Sequence, residues 1–421
     1  MKILVIGSGA REHAIIHQIN QSSKAKQIFA LPGNAGIANI ATNVENIKIN
    51  DHNQIIKFCQ ENQIDLVIIG PEQPLVDGLV DDLQANNIKV FGPSKQASRL
   101  EASKIFTKKI CDQYNIPTAF YQEFDQVENA LKFLKDNQDY PIVIKADGLA
   151  AGKGVIIAQD YHQASNEVKQ IMDGKFGSAG NKIIIEEFLD GVEVSYFAIC
   201  DGKNAQFFGS AGDHKKIGEG ETGLNTGGMG TYSPSPFIDQ KLQQEIFDQF
   251  IIPTLKAMSD LNSPFIGFLF AGIILTKKGP KLLEFNTRFG DPEAQVILPR
   301  LETDFIDIIL AAINGNLDQI DIKFSNQKGV CVIIASKGYP ENYQKNQPIN
   351  LPSKIADNQL IFHAGTKMID GQILSNGGRV LAAVSFADNF ELAINSAYQL
   401  VANIDYKDGY YRKDIGGNVL S

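Results

Sequence analysis

Lys145-Ala146-Asp147-Gly148-Leu149-Ala150-Ala151-Gly152-Lys153-Gly154 is the stretch on which the fold turns, because it superficially matches a phosphate-binding P-loop. The match fails. It is one residue short between Gly148 and Gly152-Lys153, glycine stands where Ser or Thr should bind magnesium, and the following Val155-Ile156-Ile157-Ala158 reads as a strand, not a helix. What remains is a glycine-rich hairpin tip between two apolar strands, the first being Pro141-Ile142-Val143-Ile144. Such a tip is either an ordinary mobile hairpin or a flap that closes over phosphates with lysine charge behind it. Lys145 argues for the flap, since a lysine ending an apolar strand is costly to bury without an anionic partner.

Upstream, short apolar runs alternate with helical segments: Ile3–Ile6, a helix from Arg11 to about Asn20, Gln27–Leu31, a helix near Gln54–Asn62, Ile64–Ile69, a helix near Leu75–Asn86 and Ile88–Phe91. Continuous apolar strands separated by helices imply a parallel sheet covered on both faces. Downstream, Val192–Cys200, Gln206–Ser210, Gly267–Thr276 and Lys281–Phe285 read as antiparallel strands with helices near Lys241–Ala257 and Pro292–Pro299. The last hundred residues read as a separate small α+β domain. The fold class is therefore α/β multidomain: a parallel α/β domain over 1–102, an α+β module over 103–327 with a lid at about 120–190, and a C-terminal α+β domain over 328–421.

Composition excludes several functions. With 421 residues and a net charge of −9 of interspersed sign, the chain lacks the clustered Lys and Arg of a nucleic-acid binder. The four cysteines form no C-x-x-C pair, so neither a disulfide framework nor a zinc site is expected. The apolar run Phe265 to Leu275 is far short of the roughly 20 residues that span a bilayer, and the opening apolar run is too short for a signal peptide. A cytoplasmic protein acting on small molecules, with no membrane partner and no fused second enzyme, is expected.

The chemistry is carried by further segments. Leu283-Glu284-Phe285-Asn286-Thr287-Arg288 alternates so that Glu284, Asn286 and Arg288 share one face of a strand. A carboxylate and an amide oxygen at i and i+2 suit a hard cation that also takes phosphate oxygens, and Arg288 suits a carboxylate or a transferring phosphoryl group. Asp291 then reads as a helix cap with Pro292 at the first helical position. Gly7-Ser8-Gly9-Ala10-Arg11-Glu12 opens a helix after a strand and reads as a phosphate or sugar-phosphate site, a bare tight turn, or a defective dinucleotide motif. Gly33-Asn34-Ala35-Gly36 and Gly70-Pro71-Glu72 sit where open sheets bind ligands. Glu186-Glu187-Phe188-Leu189 ends an apolar strand and offers an edge and a face to adenine, although two acids at a strand end are usually solvated. The run from Asp213 to Gly230, dense in glycine, is too long for a plain connector and places Asp213 for an ammonium group.

Taken together, Gly-Ser-Gly-Ala-Arg-Glu-His at 7–13, Leu-Pro-Gly-Asn-Ala-Gly at 31–36, Gly-Pro-Glu-Gln-Pro-Leu at 70–75, the 145–154 segment, Asn-Thr-Gly-Gly-Met-Gly at 225–230 and Arg-Phe-Gly-Asp-Pro-Glu at 288–293 resemble the phosphoribosylamine–glycine ligase family of the ATP-grasp superfamily. The likeness runs from Ile3 to about Tyr411, with small departures at Lys216, where the family usually has arginine, and Leu224, where it usually has proline. It implies ATP, glycine and 5-phosphoribosylamine as substrates, glycinamide ribonucleotide, ADP and phosphate as products, a glycyl phosphate intermediate, and a place in de novo purine synthesis as a monomer or homodimer.

The resemblance also implies residue roles. Lys104, Lys145 and the lid residues Gly148, Gly152, Lys153 and Gly154 contact ATP phosphates. Glu186, Glu187, Phe188 and Leu189 frame adenine, and Glu193 holds its ribose. Glu284 and Asn286 hold Mg2+ or Mn2+; relatives in the superfamily often place a further acid on the preceding strand, which this chain lacks, so the metal count stays open. Gly9, Arg11, Asn34, Gly36 and Glu72, with Lys367 and Arg379, serve the phosphoribosylamine, and glycine lies between Asp213 and Arg288. Lys145, Asp213 and Arg288 are the catalytic set. The rivals are another ATP-grasp carboxylate–amine ligase or biotin carboxylase-like enzyme, a non-catalytic nucleotide sensor, and an NAD enzyme.

Overall fold

A computed structural model describes residues 1–137, 139–150 and 154–420. The first hundred residues form a five-stranded parallel sheet in the order Thr42–Asn43, Gln27–Pro32, Lys2–Gly7, Leu66–Ile69, Val90–Phe91. Its strands are apolar throughout because both faces are covered. Ile3 and Val5 pack under the helix Ala10–Asn20, while Leu4 and Ile6 pack with the helices His52–Asn62 and Leu79–Ala85 on the other side. The helix expected over Leu75–Asn86 is broken at Gly78, whose φ of +99° ends Glu72–Asp77 and starts Leu79–Ala85. The loops after Lys2–Gly7 and Leu66–Ile69 open at the carboxyl edge of the sheet, where such sheets bind ligands.

The lid is a four-stranded antiparallel sheet, Tyr121–Phe124, Ile183–Glu187, Ile142–Ala146, Val155–Ala158. The helices Val127–Asp136 and Tyr161–Gln170 bury Ala130, Leu134, Ala164 and Val168 against it. The base of the 145–154 hairpin is pinned to the helix Lys104–Tyr114: Asp147 accepts from the Ile105 amide at 2.8 Å and from Ser103 Oγ at 3.0 Å. An anion at a helix N-terminus satisfies otherwise orphaned amides there.

The largest sheet runs Gly279–Asn286, Ile266–Thr276, Val192–Asp201, Ala205–Asp213, Gly230–Ser233, Lys328–Ser336, Arg379–Ala387, Gln359–His363, with Gly409–Tyr410 also paired to Lys328–Ser336. The C-terminal strands thus continue the central sheet, because Gly230–Ser233 pairs with Ala205–Asp213 on one side and Lys328–Ser336 on the other. One apolar cluster, holding Ile3, Phe197, Phe268, Phe289 and Val384, joins the first sheet to this one. Among the described residues no helix is long and apolar enough to cross a membrane.

Candidate active site

A cleft of about 1300 Å³ lies where the three sheets meet. One wall is apolar on both sides: Val143, Val155 and Ile157 from the lid face Ile274 and Leu283 from the central sheet, with Phe188 and Leu189 at the hinge. A flat aromatic group fits such a slot.

Beside the slot, Glu186 is buried and held by two lysines. Its Oε2 pairs with Lys145 Nζ at 2.9 Å and its Oε1 with Lys108 Nζ at 3.1 Å. The anionic partner that Lys145 requires is therefore within the chain, on the adjacent strand. Lys108 also donates to Thr118 Oγ1 at 2.6 Å, and burial lowers its pKa against the pull of Glu186. Glu187, the next residue, faces the opposite way and pairs with Lys281 at 2.7 Å.

Across the cleft the charges are reversed. Arg288 Nε meets Glu72 Oε2 at 3.0 Å and Nη2 meets Glu101 Oε1 at 3.0 Å. Burial is the largest single influence on Glu72 and favours its protonation, but the Arg288 and Arg11 guanidinium groups and a backbone hydrogen bond together outweigh it and bring the carboxyl down to about 2. Glu101 Oε2 accepts from the Thr287 amide at 2.8 Å and the Thr287 hydroxyl at 3.2 Å, the acceptor-only pattern of a carboxylate.

Between these clusters stands Glu284. A β-bulge at Leu283 interrupts the pairing of its strand with Ile266–Thr276, and Glu284 and Asn286 both reach the cleft while Phe285 is buried. Burial opposes its ionisation, but Lys104, then Lys215 and Lys145, hold its pKa below the ordinary value. None of these cations lies within ion-pair distance, and among the described residues its carboxylate takes no hydrogen bond. Asn286 Oδ1 accepts weakly from Arg288 Nη2 at 3.3 Å. An ionised carboxylate beside an amide oxygen fits a divalent cation that takes its other ligands from phosphates.

At the far end Lys215 Nζ meets Glu193 Oε2 at 2.8 Å. Burial would lower its pKa, but Asp213 and Glu193 hold it well above the ordinary value; burial raises that of Asp213, with Lys215 pulling the other way.

Three consecutive family models match this chain: the phosphoribosylglycinamide synthetase N domain over residues 1–101, its ATP-grasp (A) domain over 102–294 and its C domain over 329–418. The phosphoribosylamine–glycine ligases of Brucella melitensis and Caldanaerobacter subterraneus are each 45% identical to it, covering 99% of this chain and 97% and 99% of theirs. The chain belongs to the phosphoribosylamine–glycine ligase family. It is accordingly an ATP-using ligase of purine biosynthesis. The crystal structure of the Thermotoga maritima phosphoribosylamine–glycine ligase superposes with a TM-score of 0.87 at 30% identity, covering 99% of this chain and 100% of that one. A biotin carboxylase from Campylobacter jejuni superposes at 0.74 with 16% identity over 97% of this chain and 92% of that one, which shows a shared fold.

In this ligase the cleft brings together Gly9, Arg11, Glu72, Lys104, Lys145, Gly154, Glu186 to Leu189, Glu193, Asp213, Glu284, Asn286, Arg288 and Arg379. Gly152 and Lys153 lie outside the described residues. Asn34, Gly36, Gly148 and Lys367 do not line it. Asn34 has no capacity left for a substrate: its Nδ2 donates to Ser8 O and His363 O, and its Oδ1 accepts from the Gly36 and Ile37 amides. Gly36 is a close-approach glycine, where a Cβ would lie 2.4 Å from the His363 ring, and a Cβ on Gly148 would lie 2.7 Å from Ala179. The helix N-terminus at Gly9 is filled by the chain itself, since Glu12 Oε2 accepts from the Gly9 amide at 2.6 Å. Gly7, Ser8, Gly9 and Arg11 nonetheless line the cleft. Asp291 does not cap a helix, which starts at Ala294; it pairs with Arg379 at 3.1 Å. Arg379 is thereby turned to Asp291 and to the Gly227 carbonyl.

The residues that sequence reasoning missed are Lys108, Glu101, Lys215 and Arg412. Lys108 carried a signal, lying one helical turn after Lys104 on the same face.

Proposed function

We propose that this cleft joins glycine to 5-phosphoribosylamine in the cytoplasm through glycyl phosphate, with ATP gripped between lid and central sheet. The observation that carries the reading is the ionised Glu284 with Lys104, Lys215, Lys145 and Arg288 as its surrounding cations and no direct partner among the described residues. Four cations around a carboxylate too distant for them suit a polyphosphate and its counter-ion.

Adenine occupies the apolar slot, its edge towards Glu186 and its ribose towards Glu193. Lys104 and Lys145 take the phosphates. Glu284 and Asn286 would hold magnesium or manganese, which supplies neutralisation of phosphate charge. Arg288 holds the glycine carboxylate and Asp213 its ammonium, while Lys215 balances Asp213. A glycine carboxylate oxygen attacks the γ-phosphorus in line, the bond to the β–γ bridging oxygen breaks, and ADP leaves. The ribosylamine nitrogen then attacks the acyl carbon, the carbon–oxygen bond to phosphate breaks, phosphate departs with those electrons, and the nitrogen gives up a proton. Arg11 and Glu72, with Arg379 on the C-terminal side, form the phosphoribosylamine side. Phosphoryl transfer of this kind needs positioning and charge neutralisation more than a covalent nucleophile.

Release of ADP with ATP and magnesium present tests the reading. Omitting glycine or phosphoribosylamine should each abolish it. ADP release that ignores glycine and depends on bicarbonate overturns it.

A further inference from the structure

Arg412 is completely buried, although it is a charged residue near the end of the chain. Burying a guanidinium is costly unless its N–H groups are met, and here four of the five have an acceptor. Nε and Nη2 form a two-pronged pair with Asp414 at 2.8 and 2.7 Å. Nη1 reaches Glu221 Oε1 at 2.7 Å and the Lys216 carbonyl at 2.9 Å, and Nη2 also faces the His214 ring at 3.3 Å.

Apart from Asp414, these partners come from one place, the glycine-rich loop that begins at Asp213. His214 lies between Asp213 and Lys215, the two side chains that face Glu193 and Glu284 across the cleft. Its ring turns instead to the C-terminal segment: Nε2 accepts from the Gly416 amide at 3.1 Å and Nδ1 donates to Glu221 at 2.8 Å. Its backbone is fixed as well, since its amide donates to Gly230 O at 2.9 Å and its carbonyl accepts from Met229 at 2.7 Å. Further bonds run the length of the seam. Tyr410 Oη donates to Ile217 O, the Lys413 amide to Glu219, and the Gly220 amide to Asp414. A Cβ on Gly230 would lie 2.6 Å from Ile415, so only glycine there lets the segment seat. Arg412, Asp414, Gly417 and Asn418 also line the cleft.

We infer that Arg412 is a positioning residue: by fastening His214, Lys216 and Glu221 to segment 410–418 it sets where Asp213 and Lys215 stand in the cleft. The inference rests on the glycine-site reading of Asp213 given above. It makes the C-terminal segment a wall of the active site.

The test pairs Arg412→Met with Asp213→Asn in the full chain, reading glycine and ATP kinetics from ADP release and ATP affinity from direct binding. R412M should lower kcat/KM for glycine about 100-fold while ATP affinity stays within about two-fold, because a small misplacement at the reacting end costs that much. Added to D213N, R412M should cost less than about three-fold more, since both act through one group. Multiplicative losses, or an equal loss of ATP affinity, mark a merely structural arginine and overturn the inference. D213N that leaves glycine kinetics unchanged overturns the reading of Asp213 and the inference with it. D213N that harms glycine use beside a harmless R412M overturns the inference alone. Asp414→Asn, which keeps the volume and removes one charge, carries the same comparison at about ten-fold if R412M does not fold.

Discussion

The two ends of the cleft are built as opposites. At the nucleotide end two lysines, Lys108 and Lys145, flank one buried carboxylate, Glu186. At the acceptor end two carboxylates, Glu72 and Glu101, flank one buried arginine, Arg288. With every member ionised each triad holds one unit of charge in excess, of opposite sign, and burial opposes that charge at Glu101 and Lys108. Buried excess charge is expensive, so such triads are stable in waiting for a ligand that balances them. The positive triad suits an anion. The negative one keeps Arg288 aimed and lets a substrate carboxylate compete for it with Glu72, the more exposed of its partners.

The largest expected effect comes from removing a centre. Arg288→Met strands Glu72 and Glu101 together and should reduce ADP release under saturating ATP by about 1000-fold, the scale of losing a preorganised charge at the reacting group. Lys145→Met should cost about 100- to 1000-fold, with Lys108 still present to hold Glu186. An R288M enzyme that keeps both its turnover and its glycine requirement breaks the comparison at the acceptor end.

Between the triads, Glu284→Gln should raise the magnesium concentration for half-maximal rate by about 10- to 100-fold, because an amide keeps the shape and loses the charge. The measurement is a metal titration at fixed free ATP. An unchanged titration removes Glu284 from the metal site.

The flanking residues sharpen the contrast. Lys108→Met should raise KM for ATP about ten-fold and leave that for glycine within about two-fold, and Glu101→Gln should do the reverse, each a shift of about 1.4 kcal/mol. If both variants moved both constants equally, the two ends would be one coupled network instead of opposed triads.

Lys145, Glu186, Glu72 and Arg288 were legible in the sequence and Lys108 and Glu101 were not, for a physical reason. Lys145 ends an apolar strand, and Arg288 follows a polar alternation after Leu283, so each violates its local pattern and asks for a partner. Lys108 and Glu101 sit on short helices where a charge normally faces water, and nothing local shows that these positions turn inwards. The same limit explains Asn34, whose place in a glycine-rich loop fits a ligand contact as well as the self-bonded turn it forms. The parallel sheet was legible because its strands are apolar on both faces. The continuation of the central sheet into the C-terminal strands depends on the pairing of Gly230–Ser233, four residues with no pattern that names a partner.

The smallest effect is on stability and lies behind the acceptor end. Glu293 is buried, and its Oε1 accepts from Ser195 Oγ at 3.2 Å. Burial, with the charge of Asp213 added, raises its pKa from 4.5 to about 7. A carboxyl whose folded pKa lies above its unfolded value stabilises the fold fully below the unfolded pKa, and that stability is lost as pH rises through the folded pKa. The wild type should therefore lose on the order of 2–3 kcal/mol relative to Glu293→Gln as the pH is raised from about 4.5 to above 7. Denaturant unfolding of the two proteins across that range measures it. Parallel pH curves would mean that Glu293 is ionised throughout, compensated by Lys215, and the acceptor end would then carry more negative charge than the Arg288 triad alone provides.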